Sequence, residues 1–298
     1  MARHNKKRIQ GMFLLVFILG LVDLGLFIRR VLHGHNMALF NPKGLIANDQ
    51  HNLMVFTLAV LLAIAIPTLL LLYFTAWKYR ESNTKAQHDP GSRHSKFLAP
   101  SIWALPTVIM LILVSFMAPA THRLAPQKVI SNGFKPLTIQ VISLRWKWLF
   151  IYPDQKVASL NFVQLPVNTP VTFEMTADET PMSSFWIPNL GGQLYTMTSH
   201  VNRLNLMAVT PGDYPGSSAE INGAGFAGMK FTARVSSNEA FNDWVQSVKL
   251  TPNRLDATMY NKLLVPSEYN AAGFYSSFDP NLYASVISKY EGPGGHAH

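Results

Sequence analysis

The sequence predicts a membrane α-helical hairpin, preceded by an N-terminal signal or anchor helix and followed by an all-β sandwich with a short C-terminal helical extension. Three observations carry this. Long apolar runs are confined to the region before about residue 121, short alternating runs broken by Pro, Gly and Asn begin near residue 136, and amphipathic helical spacing returns only towards the C-terminus. A chain of 298 residues has room for one ordinary globular domain beside such an anchor.

The first apolar run, residues 11–28, follows a basic start of Arg3, Lys6, Lys7 and Arg8. That layout fits a signal peptide or an uncleaved signal anchor. Arg29, Arg30 and bulky residues follow where a small-residue cleavage site would stand, which favours the anchor. Asp23 within the run opposes insertion, since a carboxylate near a helix centre costs about 2.5–3.5 kcal/mol; it is expected near the outer interface or in a cleaved segment, with contact to a partner subunit as the functional alternative.

The second run, residues 53–77, and the third, residues 102–120, are long enough to cross a hydrocarbon core that needs roughly 20 residues. Pro67 sits near the middle of the second and Pro106 early in the third. Neighbouring helices satisfy the backbone groups that such prolines free, so the pair is expected to pack inside a larger bundle. The loop between them carries Lys78, Arg80, Lys85, Arg93 and Lys96 against Glu81 and Asp89. By the positive-inside rule it is cytoplasmic, which sends the C-terminal domain to the periplasmic side.

The net charge of +9 follows the same division. Residues 1–120 hold 12 Lys/Arg against 4 Asp/Glu, an excess of 8, whereas residues 121–298 hold 13 against 12. The basicity therefore flanks the spans, and the globular half lacks a phosphate-binding footprint, which argues against nucleic acid. The chain has no cysteine, so disulfides, thiolate metal sites, iron–sulfur clusters and a lipidated cysteine are excluded.

In the C-terminal half TIQVISLRWKWLFIY, ASLNFVQLP, TPVTFEMTA, SFWIPNL, RLNLMAVT and MKFTARVS read as strands of an antiparallel sandwich or barrel. NEAFNDWVQSVK then places Phe241, Trp244, Val245 and Val248 on one helical face, and TMYNKLL and NLYASVISKY are shorter helical segments. The terminal GGHAH is too short for a metal site.

RWKWLFIYPD (145–154), SSFWIPNLGGQ (183–193) and PGDYPGSSAEINGAGFAGMKF (211–231), in this order behind a membrane hairpin, resemble subunit II of the heme–copper respiratory oxidases. The resemblance spans about residues 36–290 and implies a cupredoxin-like sandwich. In the cytochrome c oxidase branch that domain holds a copper pair on a His followed by C-x-E-x-C-x-x-x-H-x-x-M, thiolates and imidazoles being the donors such a pair needs. Laid on this chain, the pattern falls on Ser183, Ser218, Glu220, Asn222, Phe226 and Met229. Only Glu220 and Met229 keep their identity. The resemblance thus implies a domain without metal, with Met229 as core packing, Glu220 at a surface or interface, and Trp146 and Trp148 packing rather than passing electrons.

That loss is similar to subunit II of bo-type ubiquinol oxidases, as are NPKG (41–44), AWKYR (76–80), PSEYN (266–270) and GMKF (228–231). Two departures stand out. His35 occupies the place of a lipoprotein cysteine, which supports keeping the first span as anchor, and Ala99 occupies that of a glutamate at the cytoplasmic start of the third span, near the mouth of a proton-uptake path in relatives. Either proton entry relies on the large subunit, or the register is shifted and Asp89 approaches the mouth.

The expected division is 1–35 signal or anchor helix, 36–121 hairpin, 122–236 periplasmic cupredoxin-like domain without its copper centre, and 237–298 helical extension and tail. The resemblance implies a structural subunit of a quinol-oxidising, oxygen-reducing, proton-moving complex in the inner membrane. It would carry no catalytic residue, cofactor or metal. Hemes, copper and ubiquinol would belong to the large subunit I, with subunits III and IV and membrane lipids as further partners. A cytochrome c oxidase would need the copper ligands and an acidic docking face for cytochrome c. The remaining alternative is a membrane-anchored periplasmic cupredoxin-like binding or assembly protein without enzyme activity.

Overall fold

The computed structural model describes residues 37–84, 98–130, 133 and 135–290, with 19–20, 22–23, 25–27 and 29–30 of the N-terminal run, which are helical. His35, Asp89 and GGHAH lie outside the described residues, as does the side chain of Ala99.

Helix α1 (Leu45–Lys78) contains Pro67, and α2 (Leu98–Arg123) contains Pro106 and Pro119. Beyond the polar residues 48–52 of α1, both are apolar on all sides and lie largely exposed. An all-round apolar surface fits lipid or a partner bundle rather than a soluble core. Their few hydroxyls are satisfied inside the helix: Thr57, Thr68 and Thr75 donate to the carbonyls of Leu53, Ile64 and Leu71, and Thr107, Ser115 and Thr121 to those of Trp103, Leu111 and Met117. This removes the penalty for polar groups in hydrocarbon. The helices meet at Phe56 and Phe116, whose ring centroids lie 4.4 Å apart, and at the Arg123–Asp49 pair, 3.6 Å apart.

The β domain has two sheets. The first has the order β11-β3-β2-β1-β5-β8, from β1 (Leu137–Leu144), β2 (Lys147–Tyr152), β3 (Val157–Leu160), β5 (Pro170–Ala177), β8 (Asn202–Met207) and β11 (Gly273–Tyr275). The second has the order β4-β10-β9-β6-β7, from β4 (Phe162–Pro166), β6 (Ser183–Trp186), β7 (Leu194–Thr196), β9 (Gly212–Ser218) and β10 (Lys230–Ser236). The sheets are mixed rather than antiparallel throughout, because β1–β5 and β4–β10 pair in parallel. Alternation of side chains fixes which face is buried but not the direction of the neighbouring strand.

Two apolar runs divide where single strands were expected. TIQVISLRWKWLFIY forms the β1–β2 hairpin, folded at Arg145–Trp146, with Trp146 at φ 62°. ASLNFVQLP switches sheets at Asn161, φ 50°, between β3 and β4. Asn suits that left-handed backbone; a bulky Trp seldom adopts it.

The main core lies between the sheets, around Trp148, Phe150, Phe173, Phe185 and Phe231, with Phe185 and Phe231 stacked at 5.1 Å. A second core covers the other face of the first sheet, where Ile142, Leu144, Leu149 and Ile151 meet Leu255, Tyr260, Leu263, Leu282, Tyr283 and Val286 of the extension. Every residue of β2 is buried as a result, and its sequence shows no alternation.

Helix α3 (Asn238–Lys249) is capped by Ser237, whose oxygen accepts from the Ala240 N–H, and buries Phe241, Val245 and Val248. Helix α4 (Ala257–Leu264) is capped by Asp256 accepting from the Met259 N–H, and α5 (Leu282–Ser288) ends the described chain's helices. All three arise from the segments expected to be helical.

The sandwich is bonded to the hairpin at both outer ends. The Lys43 and Gly44 N–H groups donate to the Asn189 carbonyl at 2.8 and 3.0 Å, and the Ala47 N–H donates to that of Leu190 at 3.1 Å. Asn205 donates from its backbone and side chain to the Pro126 carbonyl at 3.0 and 3.1 Å. A Cβ on Gly44 would come within 2.4 Å of the Leu190 oxygen, so glycine is required by the close approach of the two backbones.

Candidate functional site

Strands β6 and β9 are neighbours with Phe185 opposite Ser218, which brings the start of β6 beside the end of β9. The chain then turns through a short 3-10 segment, Ala224–Gly228, and re-enters the sheet as β10. This return delivers Asn222 and Met229 to Ser183. Asn222 Nδ2 donates to Ser183 Oγ at 2.7 Å and approaches Met229 Sδ at 3.1 Å. Ser183 Oγ donates to the Pro181 carbonyl at 3.2 Å, and Ser218 Oγ donates to the Glu220 carbonyl at 2.9 Å while accepting from the Ser184 N–H at 3.3 Å. Ser183 and Met229 are fully buried, and Ser218 and Asn222 nearly so.

The six aligned positions therefore converge in part. Ser183, Asn222 and Met229 touch, and Ser218 adjoins them through Ser184. Phe226 is half-buried in the 3-10 segment, its carbonyl accepting from the Met229 N–H. The Glu220 carboxylate faces elsewhere and accepts from the Tyr195 hydroxyl at 3.2 Å. That negative charge, together with the hydrogen bond, raises the Tyr195 pKa above its ordinary value. Met229 belongs to the main core, as does Trp148. Trp146 packs its indole over Gly223 and Gly225, where a Cβ on Gly225 would come within 2.3 Å of the ring.

Hydroxyls, an amide and one thioether meet here, and the six aligned positions include no thiolate or imidazole. These donors do not fit a copper pair, which calls for soft thiolates and imidazoles. The thioether sulfur, the one soft donor, already receives the Asn222 amide. The amide oxygen of Asn222 and the indole nitrogen of Trp148 are buried without a hydrogen-bond partner among the described residues.

A second set of buried polar residues gave little sign in the sequence. Lys147 is buried in β2 and donates to the carbonyls of Leu263 and Val265 at 2.7 and 2.6 Å, closing the C-terminal end of α4 with a cation. Burial lowers its pKa. Asp178, also buried, accepts from the hydroxyls of Tyr260 at 2.6 Å and Tyr290 at 2.7 Å and pairs with Lys289 at 3.0 Å. Tyr290 accepts in turn from the Glu179 N–H at 2.8 Å, and Arg145 Nε donates to the Glu179 carbonyl at 2.8 Å. This clamp fastens the extension to the segment leading into Ser183. A lysine inside an otherwise apolar run was its one visible signal.

Residues 249–294, most of the extension, match the family described as COX Aromatic Rich Motif. Over 288 residues the chain is 39% identical to the cytochrome bo(3) ubiquinol oxidase subunit 2 of Pseudomonas putida, covering 97% of this chain and 89% of that protein. It is 41% identical over 271 residues to the protein of the same name from Pseudomonas aeruginosa, covering 90% and 82%, and 38% identical over 268 residues to ubiquinol oxidase subunit 2 of Acetobacter aceti, covering 89% and 87%. Among solved structures, the periplasmic domain of subunit II of cytochrome oxidase from Bradyrhizobium japonicum is 23% identical, with a TM-score of 0.37, covering 40% of this chain and 96% of that one.

Proposed function

The chain belongs to the ubiquinol oxidase subunit 2 family, and on that premise we propose that it is the structural, redox-inactive subunit of a quinol-oxidising terminal oxidase. The observation that carries this is the neutral cluster at Ser183, Ser218, Asn222 and Met229, whose donors bond to one another or to backbone. The domain holds no copper centre. The proposed division remains 1–35 signal or anchor helix, 36–121 hairpin, 122–236 cupredoxin-like domain and 237–298 extension.

In this reading the large subunit holds the hemes, the remaining copper and the quinol site. Ubiquinol reaches it from the bilayer, so electrons bypass the outer domain and no cytochrome c docks there. The hairpin clamps the large subunit through its exposed apolar surface, which carries Pro67 and Pro106, and the sandwich caps its outer face. Subunits III and IV complete the assembly in the inner membrane, with the sandwich on the periplasmic side.

Purification of the membrane complex tests this. The chain is expected to copurify with a heme-bearing subunit, to lack near-infrared copper-pair absorption, and to support oxygen consumption with quinol but not with reduced cytochrome c. Recovery as a heme-free monomer overturns the proposal, as does a copper-pair band assigned to this chain.

A further inference from the structure

The two ends of the hairpin settle their charges differently. At the end bonded to the sandwich, Arg123 has Asp49 across the helix pair. At the opposite end α1 closes on Trp77, Lys78, Tyr79 and Arg80, and no carboxylate among the described residues pairs with either cation, although Glu81 follows directly. Their partners are aromatic. Lys78 Nζ lies 5.8 Å from the Phe74 ring and 5.6 Å from that of Tyr79, and the Arg80 guanidinium lies 5.2 Å from the Trp77 ring. Arg80 Nε donates to Ser82 Oγ at 3.0 Å, and Asn83 Nδ2 donates to the Lys78 carbonyl at 2.5 Å, closing the helix end.

Stacking on an aromatic face holds a cation in place without neutralising it. Trp77 and Tyr79 are more than half exposed and Trp103, near the start of α2, is 78% exposed. Indoles and phenols of this kind sit at headgroup depth. The segment that follows adds Lys85, Arg93 and Lys96 against Glu81 and Asp89, so it does not cancel the charge. The uncancelled charge attracts an anionic group at the depth where a membrane presents phosphates.

We propose that the Lys78–Arg80 end of the hairpin is a headgroup site for anionic phospholipid, with Lys78 and Arg80 on the phosphate and Trp77, Tyr79 and Trp103 along the glycerol and upper acyl region. The site depends on the hairpin spanning a bilayer and is independent of the route of electrons, so it fails or stands separately from the oxidase reading.

The chain has no cysteine, which allows a single probe on it. Thr84→Cys, labelled with a bromine-quenchable fluorophore in the assembled complex and checked for attachment to this chain, is reconstituted in phosphatidylcholine vesicles. Brominated phosphatidylglycerol is expected to quench with about a five-fold preference over brominated phosphatidylcholine, the effect of roughly one basic residue at a charged surface. The preference should vanish in K78Q/R80Q and survive in K78R/R80K. In the unsubstituted cations it should also fall as salt rises from about 0.01 M to about 1 M, where screening shortens from ~30 to ~3 Å, so the proposal stays falsifiable if the glutamine variant does not assemble. Equal quenching by both lipids overturns it in favour of a carboxylate from a partner subunit. A preference that persists in K78Q/R80Q overturns it by placing the lipid contact elsewhere. Abolition by millimolar inorganic phosphate at constant ionic strength overturns it in favour of a small-anion site.

Discussion

Two buried polar clusters lie within one domain and are built on opposite lines. The cluster at Ser183, Asn222 and Met229 is neutral, short-ranged and incomplete, leaving the Asn222 amide oxygen unpartnered. The clamp at Asp178 and Lys147 is charged, reaches more than a hundred residues along the chain, and gives Asp178 three donors. Removing one partner of a buried, hydrogen-bonded charge leaves the other groups uncompensated, whereas replacing neutral buried partners by apolar groups can be nearly free. The fold therefore depends on the charged clamp more than on the neutral cluster.

The largest expected effect breaks the clamp. Asp178→Ala leaves the buried Tyr260 hydroxyl and the half-buried Tyr290 hydroxyl without that acceptor and Lys289 with Glu179 alone; two lost hydrogen bonds to a charged group set the expected cost at about 3–5 kcal/mol. Pulse proteolysis of the purified complex in rising urea measures it, with cleavage entering residues 249–290 first. A loss below about 1 kcal/mol would place the clamp beside the neutral cluster and dissolve the distinction.

Much of the fold was legible, for physical reasons that differ by element. The two spans are visible because hydrocarbon demands long apolar helices, and α3 because Phe241, Val245 and Val248 recur on one face behind a Ser237 cap. The β1–β2 fold-back was hidden because β2 is buried on both faces and because its turn uses Arg145 and Trp146 where Gly or Asn is usual. The clamp was hidden because Lys147 meets Leu263 only once the extension covers the first sheet. At the candidate site the aligned positions were readable from a family pattern alone. Nothing in local composition says that Asn222 reaches Ser183, or that Glu220 turns to Tyr195.

Alkaline pH sharpens the same comparison with an intermediate effect. Burial, reinforced by Asp178, raises the Tyr260 pKa, and burial raises that of Tyr283. A group whose folded pKa exceeds its unfolded value of about 10 contributes stability that is fully present below that value and is lost as pH rises through the window up to the folded pKa. Each such tyrosine should therefore cost about 1.4 kcal/mol per pH unit above pH ~10. Lys147 acts in the opposite sense. Its folded pKa is lowered, so stability rises with pH between that value and its unfolded pKa of about 10.4, which offsets part of the loss. Tyr152, raised by burial in the main core, adds to the loss there, so Tyr260→Phe should flatten the alkaline limb in part rather than abolish it. Urea titrations of the complex at pH 8 and pH 11 test this; an unchanged slope in Tyr260→Phe would remove the clamp from the alkaline response.

The smallest expected effect falls on the polar pair Asn222 and Ser183. Asn222→Leu paired with Ser183→Ala removes the amide and hydroxyl together, so neither is left without its partner, and it eliminates the unsatisfied amide oxygen. Met229 Sδ then lies against aliphatic carbon, a contact a thioether accepts readily. The cost of overfilling by the larger Leu sets the balance, and the change in stability is expected within about 1 kcal/mol of zero. Quinol-dependent oxygen consumption should be unchanged, since electrons do not pass through this cluster in the proposed route. Met229→Ala is the control that distinguishes packing from polar bonding: it empties a fully buried site in the main core and should cost about 2–5 kcal/mol while leaving turnover per assembled complex intact. A fall in turnover for the paired variant with heme content preserved would show that the cluster acts on the large subunit.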